Sequence, residues 1–525
     1  MSPESSSAEP FDLAARAAEK HVVVVGGGIG GLVAARECAK VGMRVTVLEA
    51  EEELGGAIRR VDLDGVTVDA GAESYATRGG LVRALVEELD LTDRIVVPQA
   101  GGAWLAGIPG VGAAPLPAGG ILGIPANPFQ PDVRRIIGWS GVWRAYLDRV
   151  RPPLTIGHQL SLGKLVASRM GAKVRDRLVA PVTTGVYSAS PDDVDIDVAA
   201  PGLNAALTRV GSLSGAVQTL RDEASAKVAA KAPEADGTAP TVAKTPGAAV
   251  EGLSGGMSTL VDALAADLVR LDAEVRTRVR VRGLRRTGAT WSVEAEVAPD
   301  LEHEGDAVLE GDLVVESVSP QIEQLDADAI IIATPESAAR GLLASVIPAL
   351  QDTEAAASPE IEIVTLLLDA PEIASAPRGT GVLTVPGSHT AKALTHSTAK
   401  WGWVSAAAGP RQIVRVSFGA QGEPAATAAL SDEAAAALAR SEAAALLGVS
   451  IAPEAVIASH RGRFVQSQPA SIIGSGGRRT AARTAIHAVS GVAVVGAWLA
   501  GTGLAQVIPD ARDEADRLRR ALLWD

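Results

Sequence analysis

His21-Val-Val-Val-Val25-Gly-Gly-Gly-Ile-Gly-Gly31, HVVVVGGGIGG in one-letter code, is the stretch that decides the fold. A short β-branched run without charge predicts a parallel strand buried on both faces, and it stops at glycines. Gly26, Gly28 and Gly31 hold the G-x-G-x-x-G spacing, with Gly27, Ile29 and Gly30 between them. Beyond them, LVAARECAKVG sets Leu32, Ala35, Cys38 and Ala39 at helical spacing, and RVTVL over 44–48 reads as a second strand. Strand, glycine turn, helix and strand make one βαβ unit, the context in which the motif signals dinucleotide binding. The first glycine makes the turn, the second admits the pyrophosphate, and the third lets helix pack on strand. Amides at the helix start offer donors and a positive dipole to phosphate. Glu49, 18 residues past Gly31, is placed to accept hydrogen bonds from a ribose, and its charge disfavours a 2′-phosphate. NAD and FAD both satisfy this much.

The rest of the chain sets bounds. It has 525 residues, 47% apolar and 21% charged, enough for about three structural units. With 48 Lys+Arg against 62 Asp+Glu the net charge is -14, which argues against nucleic acid as a partner. A single cysteine, Cys38, excludes an intramolecular disulfide framework and fits a reducing, cytoplasmic compartment. The polar N-terminal stretch does not read as a secretory signal, and no run of 18 apolar residues predicts a membrane-spanning helix. Peripheral membrane contact stays open, as does the oligomeric state. The seven histidines show no metal-binding spacing, so no metal is expected, and no GxSxG nucleophile motif occurs. Aromatic residues make up only 3%. Several of them (Trp139, Trp143, Tyr146, Tyr187, Trp401, Trp403 and Trp498) fall in segments expected to wall a flat-ring pocket. Over 132–150, Val133, Ile136, Ile137, Trp143, Leu147 and Val150 predict one apolar stripe, ringed by Arg134, Arg135, Arg144 and Arg149. That helix reads as a pocket wall, as ordinary core, or as an interfacial membrane helix. The stretch 222–250 reads as a flexible insertion and 299–324 as an acidic loop.

A second glycine pair, Gly55 and Gly56, resembles the extended fingerprint of FAD-containing amine-oxidase-type flavoproteins and tilts the cofactor to FAD. Near the C-terminus, Gly496-Ala497-Trp498 and Gly501-Thr502-Gly503-Leu504 precede a helix whose positive end would face a flavin. GGGIGGLVAA, VTVLEAEEELGG, VDAGAESYATR, LPAGGILGIP, LVAPVTTGVYSASPDDV, GGMSTLVDAL, DAIIIATP, KALTHSTAKW and GAWLAGTGLAQVIPDA stand in one order along the chain. In that order they resemble the oxygen-dependent protoporphyrinogen/coproporphyrinogen oxidase family. The likeness spans nearly the whole chain apart from 222–250 and the acidic loop, and is closest to the Gram-positive coproporphyrinogen III oxidases.

The resemblance implies an α/β fold: a discontinuous Rossmann-like FAD-binding domain of amine-oxidase type, a mixed α+β substrate domain and a helical subdomain. The FAD-binding domain is expected over 18–90, 251–345 and 481–525. The helical, potentially membrane-facing part is expected over 91–221, the insertion over 222–250, and the substrate domain over 346–480. FAD contacts are implied for Gly26, Gly27, Gly28, Ile29, Gly30, Gly31, Glu49, Ala50, Gly55, Gly56, Ala57, Gly71, Ala72, Glu73, Ser74, Val279, Trp401, Gly496, Thr502, Gly503 and Leu504. Ala57 stands where relatives usually carry Lys or Arg, and Gly503-Leu504-Ala505-Gln506 where many have Gly-Ile-Pro-Asp.

The implied activity is oxidation of coproporphyrinogen III to coproporphyrin III in heme biosynthesis, with O2 as acceptor and H2O2 as by-product. Arg78 resembles the first member of the family's basic pair, whose second member is replaced by Gly79. Arg78, Tyr187, Lys392 and His396 are the candidate substrate residues, His396 either as a general base or, more in keeping with its type, as a structural histidine. No side chain is singled out as the catalytic acid or base. Protoporphyrinogen IX is the alternative substrate. More distant readings are an FAD amine oxidase, a carotenoid desaturase, or a non-catalytic tetrapyrrole-binding flavoprotein. A ferrochelatase would be a downstream partner.

Overall fold

The computed structural model describes residues 10–150, 160–231, 249–298, 320–356, 358–465, 469 and 471–524. The β-branched run forms the strand His21–Val25, every residue of it buried. A central strand must serve two cores, and side-chain alternation apportions them. Val22 and Val24 enter the core beneath helices Ile29–Ala39, Ser258–Arg270 and Leu504–Trp524. Val23 and Val25 enter the one shared with helix Ser475–His487 and a three-stranded antiparallel sheet, Val279–Thr287, Thr290–Val297 and Gln321–Ala327. Each fully buried valine contributes about 1.5–3 kcal/mol, so one pentapeptide ties both layers together. The full sheet has five parallel strands, in the order Glu274–Arg276, Arg44–Leu48, His21–Val25, Ala329–Ile332, Val492–Val494.

A second, seven-stranded sheet runs Val456–Val465, Glu360–Leu368, Gln412–Phe418, Ala393–His396, Gly381–Thr384, Ala103–Ile108, Gly112–Pro115. Its pairs are antiparallel except Gly381–Thr384 with Ala103–Ile108. Helix Asp432–Leu447 covers part of one face through Ala435, Ala436, Ala439 and Ala443, and is capped by the Ser431 hydroxyl, which accepts from the Ala434 amide. Leu105, Ile108 and Ala114 from the far edge enter the core of a helical layer that includes Pro131–Tyr146, Leu162–Met170, Ala180–Tyr187, Leu203–Val210 and Leu213–Lys231.

The structure corrects three expectations here. Helix Leu213–Lys231 runs into the stretch read as an insertion, and strand Val250–Leu253 ends it; 232–248 lie outside the described residues. The end of the acidic stretch is the strand Gln321–Ala327, paired with Thr290–Val297, while 299–319 lie outside the described residues. The single stripe over 132–150 is broken at Gly138, whose φ of 66° and ψ of 170° lie outside the helical range and change the phase of the helix. Before the break Val133, Ile136 and Ile137 are buried, whereas beyond it Trp139 and Trp143 are each 56% exposed and Leu147 and Val150 face outward. Trp143, Tyr146 and Phe129 pack edge to face at 5.4–6.0 Å on the surface, and the Arg134 guanidinium lies 4.8 Å over Trp139. Arg144 is bound to the carbonyls of Arg169 and Ser168, closing the end of helix Leu162–Met170. No helix among the described residues is long and apolar enough to cross a membrane.

Candidate functional site

The glycine turn lies at the C-terminal end of the central strand, where parallel sheets place their ligands. A Cβ on Gly31 would come within 2.1 Å of the Gly26 carbonyl oxygen, so only glycine lets the helix start this close to the strand. At Gly28 the reverse holds, since a Cβ would meet nothing within 4 Å. Gly28 is the N-cap of helix Ile29–Ala39 and no side chain caps it, which leaves amides directed into that open space.

Around this turn the fold gathers stretches that are far apart in sequence. Gly55 donates its amide to the Gly27 carbonyl at 2.8 Å and bridges Gly28. Ala72 reaches the Ala57 carbonyl at 3.2 Å, and a Cβ on Gly71 would sit 2.0 Å from that same oxygen. A Cβ on Gly30 would be 3.3 Å from the Gly496 backbone, which places the C-terminal turn against the N-terminal one. Gly496 itself faces open space. Thr502, Gly503 and Leu504 follow at the start of helix Leu504–Trp524. Val279 is buried and donates its amide to the Glu49 carbonyl at 2.8 Å. The Glu49 carboxylate is already in use, accepting from Gly27 N at 2.6 Å and Glu51 N at 2.9 Å, so a ribose would share it with these amides. Ala50 and Ser74, beside these contacts, are half-buried.

Two buried polar atoms without partners belong to this neighbourhood, Thr334 Oγ1 and Trp401 Nε1. A Cβ on Gly26 would lie 3.3 Å from Thr334 N, and one on Gly252 would touch both the Trp401 ring and the Glu73 carbonyl. Open glycine faces, uncapped helix amides and orphan polar atoms together fit a bound dinucleotide, and the wide C-terminal turn fits the flat ring of FAD. Thr334 was not among the expected residues. Its signal is its position just past Ala329–Ile332, a neighbour of the central strand in the parallel sheet.

Glu73 departs from expectation. Its carboxylate is held by Lys400 Nζ at 2.5 Å and Arg415 Nη1 at 2.9 Å, instead of standing free for a cofactor. Burial pushes this carboxyl up, but the two cations outweigh it and hold it down to about 2. Arg415 also donates to the carbonyls of Ala70 and Gly71, so one guanidinium from the seven-stranded sheet clamps the whole 70–73 stretch. Nearby Asp69 accepts from Met257 N at 2.8 Å; burial lifts its carboxyl to about 7, against the pull of Arg415.

Of the four substrate candidates, the structure brings three into one region. Tyr187 ends helix Ala180–Tyr187, half-buried, its phenol pushed up by burial while the charge of exposed Arg78 acts the other way. Lys392 Nζ donates to Ser188 Oγ at 2.7 Å, one residue on. His396 stands apart from these three: it is fully buried, Nε2 lies 3.2 Å from Gln412 Oε1, Nδ1 has no partner among the described residues, and burial lowers its basicity. A separate cleft of about 760 Å³, lined by residues including Arg285, Arg286, His487 and Arg517, includes Gly491, at the opposite end of the parallel sheet from the glycine turn. Among the described residues no cluster of His, Cys, Asp and Glu could hold a metal ion.

The model of the flavin containing amine oxidoreductase family matches residues 29–519. A coproporphyrinogen III oxidase of Bacillus subtilis is 26% identical over 505 residues, 94% of this chain and 96% of that one. A coproporphyrinogen III oxidase of Mycobacterium bovis is 29% identical over 491 residues, covering 92% and 93%. In fold, the chain resembles a crystal structure from Exiguobacterium sp. 255-15 provisionally named protoporphyrinogen oxidase, with a TM-score of 0.74, 22% identity and coverage of 95% and 99%.

Proposed function

The chain belongs to the flavin containing amine oxidoreductase family, and from that premise we propose that it is an FAD-dependent coproporphyrinogen III oxidase. The observation that carries the reading is end-to-end likeness to relatives of that name, which includes the middle of the chain as well as the two ends common to the wider family. FAD, when bound, supplies the acceptor for hydride equivalents, and oxygen restores it with release of hydrogen peroxide.

The chain's own residues bind, orient and enclose. Amides at the start of Ile29–Ala39 meet the pyrophosphate, and Glu49 the adenosine ribose. The start of Leu504–Trp524 presents its positive end to the ring system. Arg415 and Lys400 fix the 70–73 stretch through Glu73, which keeps the ring's neighbour rigid while a large substrate enters and leaves. Tyr187 and Arg78 stand at the substrate side, the first with a flat face and the second with a cation for a propionate. With His396 sealed in the interior, the pyrrole protons leave to solvent.

Anaerobic mixing with coproporphyrinogen III, protoporphyrinogen IX, an amine or a polyene, followed by flavin absorbance, tests the reading. Bleaching fastest with coproporphyrinogen III is expected. Bleaching by the amine or polyene alone would overturn the reaction, and a preference for protoporphyrinogen IX would overturn the substrate.

A further inference from the structure

The cleft of about 760 Å³ at the far end of the parallel sheet has no part in the flavin site. Four segments meet there: the end of strand Val279–Thr287, residues 345–346 past helix Glu336–Leu343, residues 487–491, and the C-terminal helix at Arg517 and Ala521. In a chain of net charge -14, its lining includes Arg285, Arg286, Arg517 and His487 and neither Asp nor Glu.

Arg286 is the cation that sets this place apart. Six arginines stand between 276 and 286. Five of them have a carboxylate oxygen at 3.9 Å or closer: Arg276 from Glu323, Arg278 from Glu52, Arg280 from Glu51, Arg282 from Glu296 and Arg285 from Glu294. Arg286 has no such partner among the described residues. Its Nη2 donates to the neutral Ser490 Oγ at 2.7 Å, and its guanidinium lies 5.4 Å over the Trp291 ring. Stacking and one hydroxyl hold the group in place and leave Nε and Nη1 for an incoming acceptor. Arg517 is partly engaged, with Nε and Nη2 on Glu514 Oε2 and Nη2 also on the Val492 carbonyl; Nη1 takes no part in these bonds. Glu514, which meets His487 Nε2 at 2.8 Å as well, stays out of the lining. Trp291 is fully buried and its Nε1 has no acceptor among the described residues. A Cβ on Gly491 would come within 2.6 Å of that nitrogen, so glycine leaves no 491 side chain between the indole donor and the cleft.

We infer that this cleft is a second binding site, for a small organic phosphate. A guanidinium fork matches phosphate oxygens two at a time. A phosphate monoester carries roughly 1.5 to 2 negative charges at neutral pH, which suits several arginines in one cleft better than a single carboxylate does. Leu284, Val346, Val489 and Ala521 give the organic part an apolar wall. The volume falls within the roughly 300–1,000 Å³ of small-molecule sites. Gly491 leads through strand Val492–Val494 toward Gly496, so the cleft and the glycine turn lie at opposite ends of the sheet and can be filled together.

Calorimetry on the FAD-loaded protein, at an ionic strength fixed with sodium chloride, tests this with phenyl phosphate as the probe. Phenyl phosphate binds with a Kd of about 1 mM or tighter, and benzoate and inorganic phosphate each bind at least about 10-fold more weakly. Arg286→Gln weakens phenyl phosphate about 10- to 100-fold, the worth of charge-assisted hydrogen bonds. Ser345→Glu puts a negative charge on an exposed position of the lining and has the same direction of effect while leaving Arg286 and Trp291 in place. Both variants keep their flavin absorbance. Benzoate binding as tightly as phenyl phosphate overturns the preference for phosphate, and inorganic phosphate binding as tightly overturns the organic part. A Kd weaker than about 10 mM, or one indifferent to both substitutions, overturns the site. Competition by coproporphyrin III would place the probe at the substrate side and overturn it too; an unchanged Kd in saturating coproporphyrin III supports a site of its own.

Discussion

The two halves of the site are built from different materials. The cofactor side is made of backbone: glycine faces, helix amides and carbonyls bridged between 26–31, 55–57, 71–72 and 496. The proposed substrate side is made of side chains, Arg78, Tyr187 and Lys392, delivered by three separate elements. Between them stands the Glu73 clamp, where a side-chain network from the substrate sheet holds backbone of the cofactor side. Backbone packed as at Gly31 and Gly71 tolerates no added atom; a side-chain site can be retuned by one substitution. The departures from the family pattern at Ala57 and Gly79 read differently in this light. The first falls where backbone serves, the second on the side where side chains would meet the substrate.

Substitutions graded along this divide can break the comparison. Gly31→Ala pushes a methyl group to 2.1 Å from a carbonyl oxygen, and more than about 4 kcal/mol of stability should be lost together with FAD retention. Retained flavin absorbance in the purified variant would show that the backbone can yield. Arg415→Met strips a buried carboxylate of one of two cations and frees the carbonyls of Ala70 and Gly71, costing about 3 kcal/mol by urea titration. FAD affinity should weaken with it, because the clamp acts on the cofactor stretch. The same network predicts an acid limb. The Glu73 carboxyl is held down from 4.5 to about 2, so the ionised group stabilises the fold above about pH 4.5 and that support drains away as pH falls toward 2. At most about 3 kcal/mol is involved, and Glu73→Gln should flatten this part of the stability profile. At the small end, Trp143→Ala, at an exposed ring, should cost no more than about 1 kcal/mol and leave KM untouched. A large rise in KM would return that surface to the pocket wall.

What the sequence made legible follows the same divide. HVVVVGGGIGG and Glu49 carry local signals, period, turn and spacing, and the elements they predict are the ones observed. The clamp carries none, because Glu73 and Arg415 are 342 positions apart and nothing near either residue announces the pairing. Over 132–150 the apolar spacing predicts one helix face, yet a single non-helical glycine redistributes it, and the aromatics beyond Gly138 turn outward. His396 shows the limit of residue type as evidence: an imidazole in a distinctive segment, sealed in the interior against a glutamine.

The parallel sheet that shapes the cofactor turn draws its strands from residues 21–48, 274–276, 329–332 and 492–494. Made on a ribosome at about 5–20 residues per second, the chain releases its first strand about half a minute to a minute and a half before its last. Throughout that interval Gly30 lacks the Gly496 turn that closes over it, and Ile330, once made, still waits for its partner Val492. A nascent or prematurely ended chain would therefore be unable to retain its flavin, and the yellow colour of the finished protein would report that synthesis ran to the end.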